Sequence, residues 1–382
     1  TCRTKMVDIN TITKFSKIWL LNTLKNISSI NSSTVYKLSD LREKFTGQTA
    51  LILAAGPSLA ENIVKIKANR DKYVIFAVNK VLRVLENNEI VPDFVVCLDA
   101  KHIDITLAGI EDFCSKINCI TDLKSDSSLF SKNFKRIFVS FSKNDVVVKK
   151  LAEYNKIFTY ENGGTATAMA LVAAVKMGFS KIIFSGLDLA FNDDVIYSTG
   201  ERMNKVADNQ IQVSNMKKNV VKVKSVTGEL VNTREDYAAF IQHFETLIKD
   251  FGLTEVYNTT SFGAAIDGMK NVPLEDIHLL FVSNGTPFIL SEVVPFKLEI
   301  EAWTKEELML INNVISLLSK GVFSPVLVSA IVKSPLMYQY MQAEILKVLQ
   351  EKMQPENPEE FIQCAKLAVR NVVENLQKNR LI

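Results

Sequence analysis

Between residues 49 and 260 the chain alternates short unbroken apolar runs with stretches in which apolar residues return at helical spacing. The runs at residues 51–55, 73–78, 94–98, 136–139, 157–160, 181–185 and 255–257 lack polar alternation. That is the pattern of parallel strands covered on both faces. A doubly wound, mostly parallel, Rossmann-like α/β sheet with helices on both faces is therefore predicted over residues 49–290. An insertion is expected at about 199–232, where polar sequence around 204–210 gives way to a β-like run at 220–226 and a Thr227-Gly228 turn before Leu230 and Val231. Loops after strands carry much of the chemistry in open α/β sheets, so this insertion reads as a lid or as a plain hairpin.

The flanks follow a different pattern. Residues 1–48 are polar with one amphipathic stretch, in which Ile12, Phe15, Trp19 and Leu20 fall near helical spacing. They read as an N-terminal helical linker leaning on a neighbour. From 291 to 382 the β-rich runs stop and a C-terminal all-helical domain is predicted. Thr304 and Glu307 form a capping-box pair before Leu308, Ile311, Ile315 and Leu318, and Asn357-Pro358 opens a helix faced by Phe361, Ala365, Ala368 and Val372. Met337, Tyr338, Tyr340 and Met341 resemble a docking surface, but at helical spacing they read as core.

Composition narrows the function classes. Of 382 residues 47% are hydrophobic and 23% charged, which contradicts disorder. A net charge of +3 is too even for a protein that coats nucleic acid. The five cysteines contain no C-x-x-C and the three histidines are far apart, so a zinc site or disulfide framework is not expected. No apolar run approaches the roughly 18 residues of a membrane span, and the start lacks the apolar core of a secretory signal. A reducing, cytoplasmic setting is expected. The first residue is Thr rather than Met, so further sequence upstream is expected as well.

Two turns carry the candidate chemistry. After the run at 51–55, Gly56 permits close backbone approach, Pro57 suits a first helical turn, and Ser58 with Leu59 opens a helix whose amides face an anion. Neither a Walker A sequence nor a dinucleotide fingerprint is present. After 157–160, Asn162-Gly163-Gly164-Thr165 repeats the arrangement with Thr165 as N-cap. Parallel strands bring both turns to the carboxyl edge of the sheet, where open α/β folds bind ligands. Asn79, Asp99 and Asp188 end other strands on that rim. An amide and two carboxylates there suit a base and ribose, a divalent ion, or an acceptor hydroxyl, and the residues alone leave these open. His102 is the one histidine near the rim.

With these residues assembled, the region from about Leu41 to Pro273 resembles the motility accessory factor family of bacterial flagellin glycosyltransferases. The stretches that carry the resemblance are Ala54-Ala55-Gly56-Pro57-Ser58-Leu59, Pro92-Asp93 through Leu98-Asp99, Asn162-Gly163-Gly164-Thr165, Gly186-Leu187-Asp188-Leu189-Ala190-Phe191, and Asn258 through Gly263-Ala264. It implies that the Gly-Pro-Ser loop binds the CMP part of a CMP-activated nonulosonic acid, such as a pseudaminic or legionaminic acid. It also implies O-linked transfer to Ser or Thr of flagellin, as flagellum assembly and motility require. The core looks like that of CMP-sialic-acid-dependent sialyltransferases, which need no metal or other cofactor for chemistry.

From the two turns and the rim together, the donor is expected at Gly56, Pro57, Ser58, Leu59, Asn79, Asn162, Gly163, Gly164, Thr165 and Gly186. Asp99 or Asp188 is expected to orient or deprotonate the acceptor hydroxyl, with Tyr197 or Arg202 assisting from the insertion and the C-terminal helices gripping flagellin. Relatives often carry a His shortly after Gly-Leu-Asp-Leu, whereas this chain has Val195-Ile196-Tyr197-Ser198-Thr199-Gly200. The same domain family includes an archaeal pyrophosphokinase that uses ATP and magnesium on hydroxymethyl-dihydropterin. That is the alternative, with Asp99 and Asp188 as metal ligands, although the long flanks look like the flagellin enzymes. A nucleotide-binding module without catalysis is the remaining class.

Overall fold

The computed structural model describes residues 2–161, 163–191, 220–280, 290, 292–321, 323–350 and 357–382. The sheet follows from runs that can bury both faces. Every residue of β2 (Thr49–Leu53) and β3 (Val74–Val78) is buried, and so is every residue of β4 (Phe94–Val96). With β1 (Tyr36–Lys37), β5 (Asn118–Asp122), β6 (Arg136–Ser140), β7 (Lys181–Ser185), β10 (Val256–Asn258) and β11 (Lys270–Asn271), they form one parallel sheet in the order β1-β6-β5-β4-β3-β2-β7-β10-β11. β8 (Val220–Lys224) and β9 (Leu230–Arg234) make a separate antiparallel hairpin around the Thr227-Gly228 turn.

Alternation along β2 sorts the layers. Leu51 and Leu53 face one apolar cluster with α2 (Leu59–Ala68), α3 (Leu82–Asn87), α4 (Ile103–Leu107), α5 (Glu111–Cys114) and α6 (Val146–Tyr154). Ala50, Ile52 and Ala54 face the other cluster, with α7 (Ala166–Lys176) and α8 (Glu235–Asp250). Helices thus cover both faces, as a doubly wound sheet requires. The chain winds outward from β2 to β6 and then crosses back to place β7 against the other side of β2. Because α2 leaves β2 on one face and α8 follows β7 on the other, the loops at their carboxyl ends part and leave a crevice.

The flanks pack on the α2 side. Leu20, Leu24, Ile27 and Ile30 of α1 (Cys2–Ser32) join Trp303, Ile311, Leu336, Ala365 and Ala368 in the same cluster as the sheet residues Leu51 and Leu53. Met337 and Met341 are fully buried there. No helix among the described residues is long and apolar enough to cross a membrane.

Three local readings change. β5 was not visible as an apolar run because Asn118, Thr121 and Asp122 interrupt it. They are buried with partners: Asn118 Nδ2 donates to the Asp93 carbonyl at 2.9 Å, and Asp122 Oδ1 accepts from the Lys124 amide at 2.8 Å. Residues 157–160 are no strand, since Lys156 is left-handed at φ 52° and only Tyr160 bridges Ser142. Thr304 and Glu307 are no capping box, because the helix Glu301–Leu318 starts a turn earlier. The Thr304 hydroxyl donates back to the Ile300 carbonyl at 3.0 Å, and Glu307 points inward to accept from the Ser334 hydroxyl at 2.8 Å.

Burial pushes the Glu307 carboxyl up to about 7 from its ordinary 4.5, against the opposing pull of the Ser334 and Leu336 donors. Between those two values the native state holds a proton that the unfolded chain has released, so stability falls as pH rises through this window. The loss is roughly 3 kcal/mol across the window. Glu307→Gln is expected to flatten that slope and to be the more stable protein above neutrality. Urea denaturation of both proteins at about pH 5 and about pH 8 checks this, and parallel pH slopes would refute it.

Candidate functional site

The crevice is built by three loops tied to one another. The β2 and β7 loops are joined by the Gly56 amide, which donates to the Gly186 carbonyl at 2.8 Å. Asp188 adds a side-chain tie. Its Oδ2 accepts from the Ser58 amide at 2.9 Å and its Oδ1 from the Ser58 hydroxyl. From the β10 loop, Ala264 N donates to the Asp188 carbonyl at 2.7 Å and Asn258 Nδ2 to the Leu187 carbonyl at 2.9 Å. Burial raises the Asp188 carboxyl above its ordinary value, opposed by hydrogen bonds from Ser58 and Thr260. A Cβ on Gly56 would lie 2.4 Å from Asp188 Oδ2 and 2.5 Å from the Gly186 carbonyl, so this approach needs glycine.

These ties redefine the first turn of α2. Ser58 does not cap with its side chain but donates that hydroxyl to Asp188. The Leu59, Ala60 and Glu61 amides bond back to Gly56, Pro57 and Ser58. The Asp188 carboxylate therefore occupies the favourable end of the α2 dipole, where sequence reasoning placed the ligand's phosphate.

The cavity above these loops has a volume of about 380 Å³, within the range of small-molecule sites. It brings together Gly56, Pro57, Asn79, Asp99, Gly164, Thr165, Gly186 and Asp188. Ser58 and Leu59 lie behind its lining. Gly163 packs under α7, where a Cβ would lie 2.3 Å from the Met169 amide. Asn162, Tyr197 and Arg202 lie outside the described residues, as does residue range 192–219 of the insertion. His102 is exposed at the start of α4 and does not line the cavity.

Two carboxylates on this rim differ in kind. Asp188 is buried with both oxygens bonded, whereas Asp99 is exposed at the mouth and holds one hydrogen bond from Asn79 Nδ2, at 2.8 Å. At the second turn Thr165 caps α7, its Oγ1 accepting from the Ala168 amide at 3.1 Å. Ala166 and Thr167 also line the cavity, and first-turn amides have no partner within their helix. The start of α7 thus opens onto the cavity, whereas the start of α2 is met by the Asp188 carboxylate.

Sequence reasoning missed one wall. Arg234, Asp236, Tyr237, Phe240 and Phe244 close the cavity from β9 and α8, and Lys80 stands beside Asn79. Arg234 donates through Nε to Asp236 Oδ1 at 2.8 Å, and its guanidinium lies 4.7 Å from the centre of the Tyr237 ring. In sequence the three aromatics read as the apolar face of a helix, and only the Arg at the strand-to-helix junction marks them. Among the described residues, no three His, Cys, Asp or Glu side chains converge as a metal centre.

Residues 21–194 match the family model described as 6-hydroxymethylpterin diphosphokinase MptE-like. Over 96 residues the chain is 35% identical to an uncharacterized protein of Treponema pallidum (strain Nichols), a match covering 25% of this chain and 44% of that protein. The solved structure of a MAf glycosyltransferase from Magnetospirillum magneticum AMB-1 aligns over 95% of this chain and 61% of its own, with a TM-score of 0.64 and 17% identity. The chain thus spans less than two thirds of the length of either relative, and at that identity the structural likeness is one of fold. Residues 21–194 are thus similar to the MptE-like family model, and the chain shares the fold of the Magnetospirillum glycosyltransferase.

Proposed function

We propose that the chain is a glycosyltransferase that moves a nonulosonic acid of the pseudaminic or legionaminic type from a CMP-activated donor to Ser or Thr of flagellin, in the cytoplasm. The observation that carries this reading is the crevice at the β2–β7 switch, which puts the exposed Asp99 carboxylate, Lys80 and a helix start around one cavity. In the reaction the bond from the anomeric carbon to the CMP phosphate breaks with oxocarbenium character, and the acceptor oxygen takes its place. The departing phosphate is anionic, and the start of α7 with Lys80 supplies compensating positive potential, while Arg234 is held by Asp236 on the same wall. Asp99 takes the acceptor proton, held by Asn79. Tyr237 and Phe240 offer flat apolar surface to a base or sugar ring. Asp188 is the latch that holds the Gly56 loop, so its role is positional.

The test is intact-mass spectrometry of flagellin incubated with the chain and a CMP-activated nonulosonic acid. Addition of whole sugar residues at Ser or Thr supports the reading. Release of CMP to water with flagellin unmodified counts against it.

A second reading is favoured by the description of the matched family, a hydroxymethylpterin diphosphokinase. Magnesium there would be held by nucleotide phosphates and by Asp99, because both Asp188 oxygens are already bonded within the protein. One carboxylate with bound phosphates is a sufficient donor set for that ion. AMP formation from ATP in the presence of hydroxymethyl-dihydropterin would select it.

A further inference from the structure

The loop that carries Asp99 is held from outside the sheet. Asn22 of α1 donates through Nδ2 to two carbonyls, Ala100 at 3.0 Å and Lys124 at 2.9 Å. One turn further, Asn26 Nδ2 donates to Leu123 at 2.9 Å and to Ser125 at 2.8 Å. Residues four apart lie on one helix face, so the two amides form a ladder against the loops that follow β4 and β5. Those loops are joined further by the Asp126 amide, which donates to the Asp99 carbonyl at 2.8 Å, and by the Ser125 hydroxyl on the Cys97 carbonyl at 3.2 Å. Lys124 closes the set with its ammonium 4.8 Å from the Trp19 ring centre.

Leu20, Leu24 and Ile27 already supply the apolar contact of α1, so packing alone does not call for amide donors at 22 and 26. Their four acceptors are all carbonyls of the two rim loops. The far end of α1 is fixed in turn. Asn31 donates to the Leu298 carbonyl at 3.0 Å and accepts from the Leu298 amide at 2.7 Å, while Lys297 donates to the Asn31 carbonyl at 2.8 Å. Helix α1 is thus a strut running from the C-terminal region to the mouth of the cavity.

We infer that Asn22, supported by Asn26, is a positioning residue for Asp99, acting through the Ala100 carbonyl. This rests on the reading that Asp99 works in the cavity. A carboxylate on an exposed loop has several rotamers and a movable backbone, and a proton acceptor must stand within hydrogen-bond reach of its hydroxyl. The Asn22 bonds fix the backbone, and the Asn79 bond fixes the side chain.

The test uses the full chain with Asn22→Leu and with Asn22→Asp. The second variant keeps size and polarity but removes the donor, so it remains informative if the first fails to fold. Hydrogen–deuterium exchange in peptides spanning residues 97–103 and 122–127 is expected to quicken roughly tenfold in both variants, with β2 and β7 unchanged. Turnover of a CMP-activated nonulosonic acid is expected to lose roughly 10- to 100-fold in kcat, with KM and CMP affinity held. Unchanged exchange in the two loops would overturn the inference, and so would loosened loops with native kcat. If the native protein turns over no CMP-activated sugar, the proposed function falls while the exchange result still decides whether Asn22 holds the loop.

Discussion

Asp99→Asn is expected to lower sugar transfer by roughly 10²- to 10⁴-fold while leaving CMP affinity within about twofold of native. The substitution keeps shape and keeps an acceptor for Asn79 Nδ2, so the 2.8 Å contact survives and only the proton-accepting oxygen is lost. Asp99 is exposed, so the change leaves no buried group unpaired and stability should move little. Steady-state turnover with calorimetric CMP binding separates the outcomes. Native turnover in a folded variant would remove Asp99 from the chemistry. Asp188→Asn should behave differently, because it turns an amide donor toward the Ser58 donors and damages the loop itself.

Gly186→Ala is expected to cost roughly 3–5 kcal/mol of stability and to abolish nucleotide binding. Gly186 holds φ +77°, and a Cβ there would lie 2.3 Å from the Ala54 carbonyl oxygen and 3.0 Å from Leu59 Cβ. The first of these is backbone at the end of β2 and cannot swing aside, so the β2 and β7 loops must part. Their separation would break the Gly56–Gly186 bond and the Asp188 latch together. Gly164→Ala is the matched control. Its φ is +73° but nothing lies within 4 Å of the added Cβ, so only the backbone penalty of roughly 1 kcal/mol applies. Urea denaturation of both variants checks the contrast, and equal losses would show that the steric argument is misplaced.

How far this site is legible in sequence differs by residue. β7 reads from sequence with its observed bounds because a strand buried on both faces shows as an unbroken apolar run. β5 does not, because its polar residues are buried through bonds to Asp93 and to its own following turn. Gly56, Asn79, Asp99 and Asp188 stand out because each ends an apolar run on one edge of a parallel sheet. Their division of labour does not stand out. Asp188 is spent on Ser58, 130 residues away in sequence, while Asp99 stays exposed. Within the Pro92-Asp93 stretch, Asp93 serves the opposite end of β4, accepting from Arg70 at 2.8 Å and from the Ile75 amide at 2.7 Å. The α8 aromatics were hidden by looking like core, and Asn22 by lying in a polar segment with no pattern of its own.

On the proposed function, the β2–β7 crevice is a CMP site that works without a metal. Titration calorimetry of CMP and of ATP, each with magnesium and then with excess chelator, tests it most directly. Preferential CMP binding that survives chelation and is lost in Gly186→Ala is the expected result. Preferential ATP binding that collapses without magnesium would contradict it and would make Asp99 a ligand of the ion instead of an acceptor of the proton.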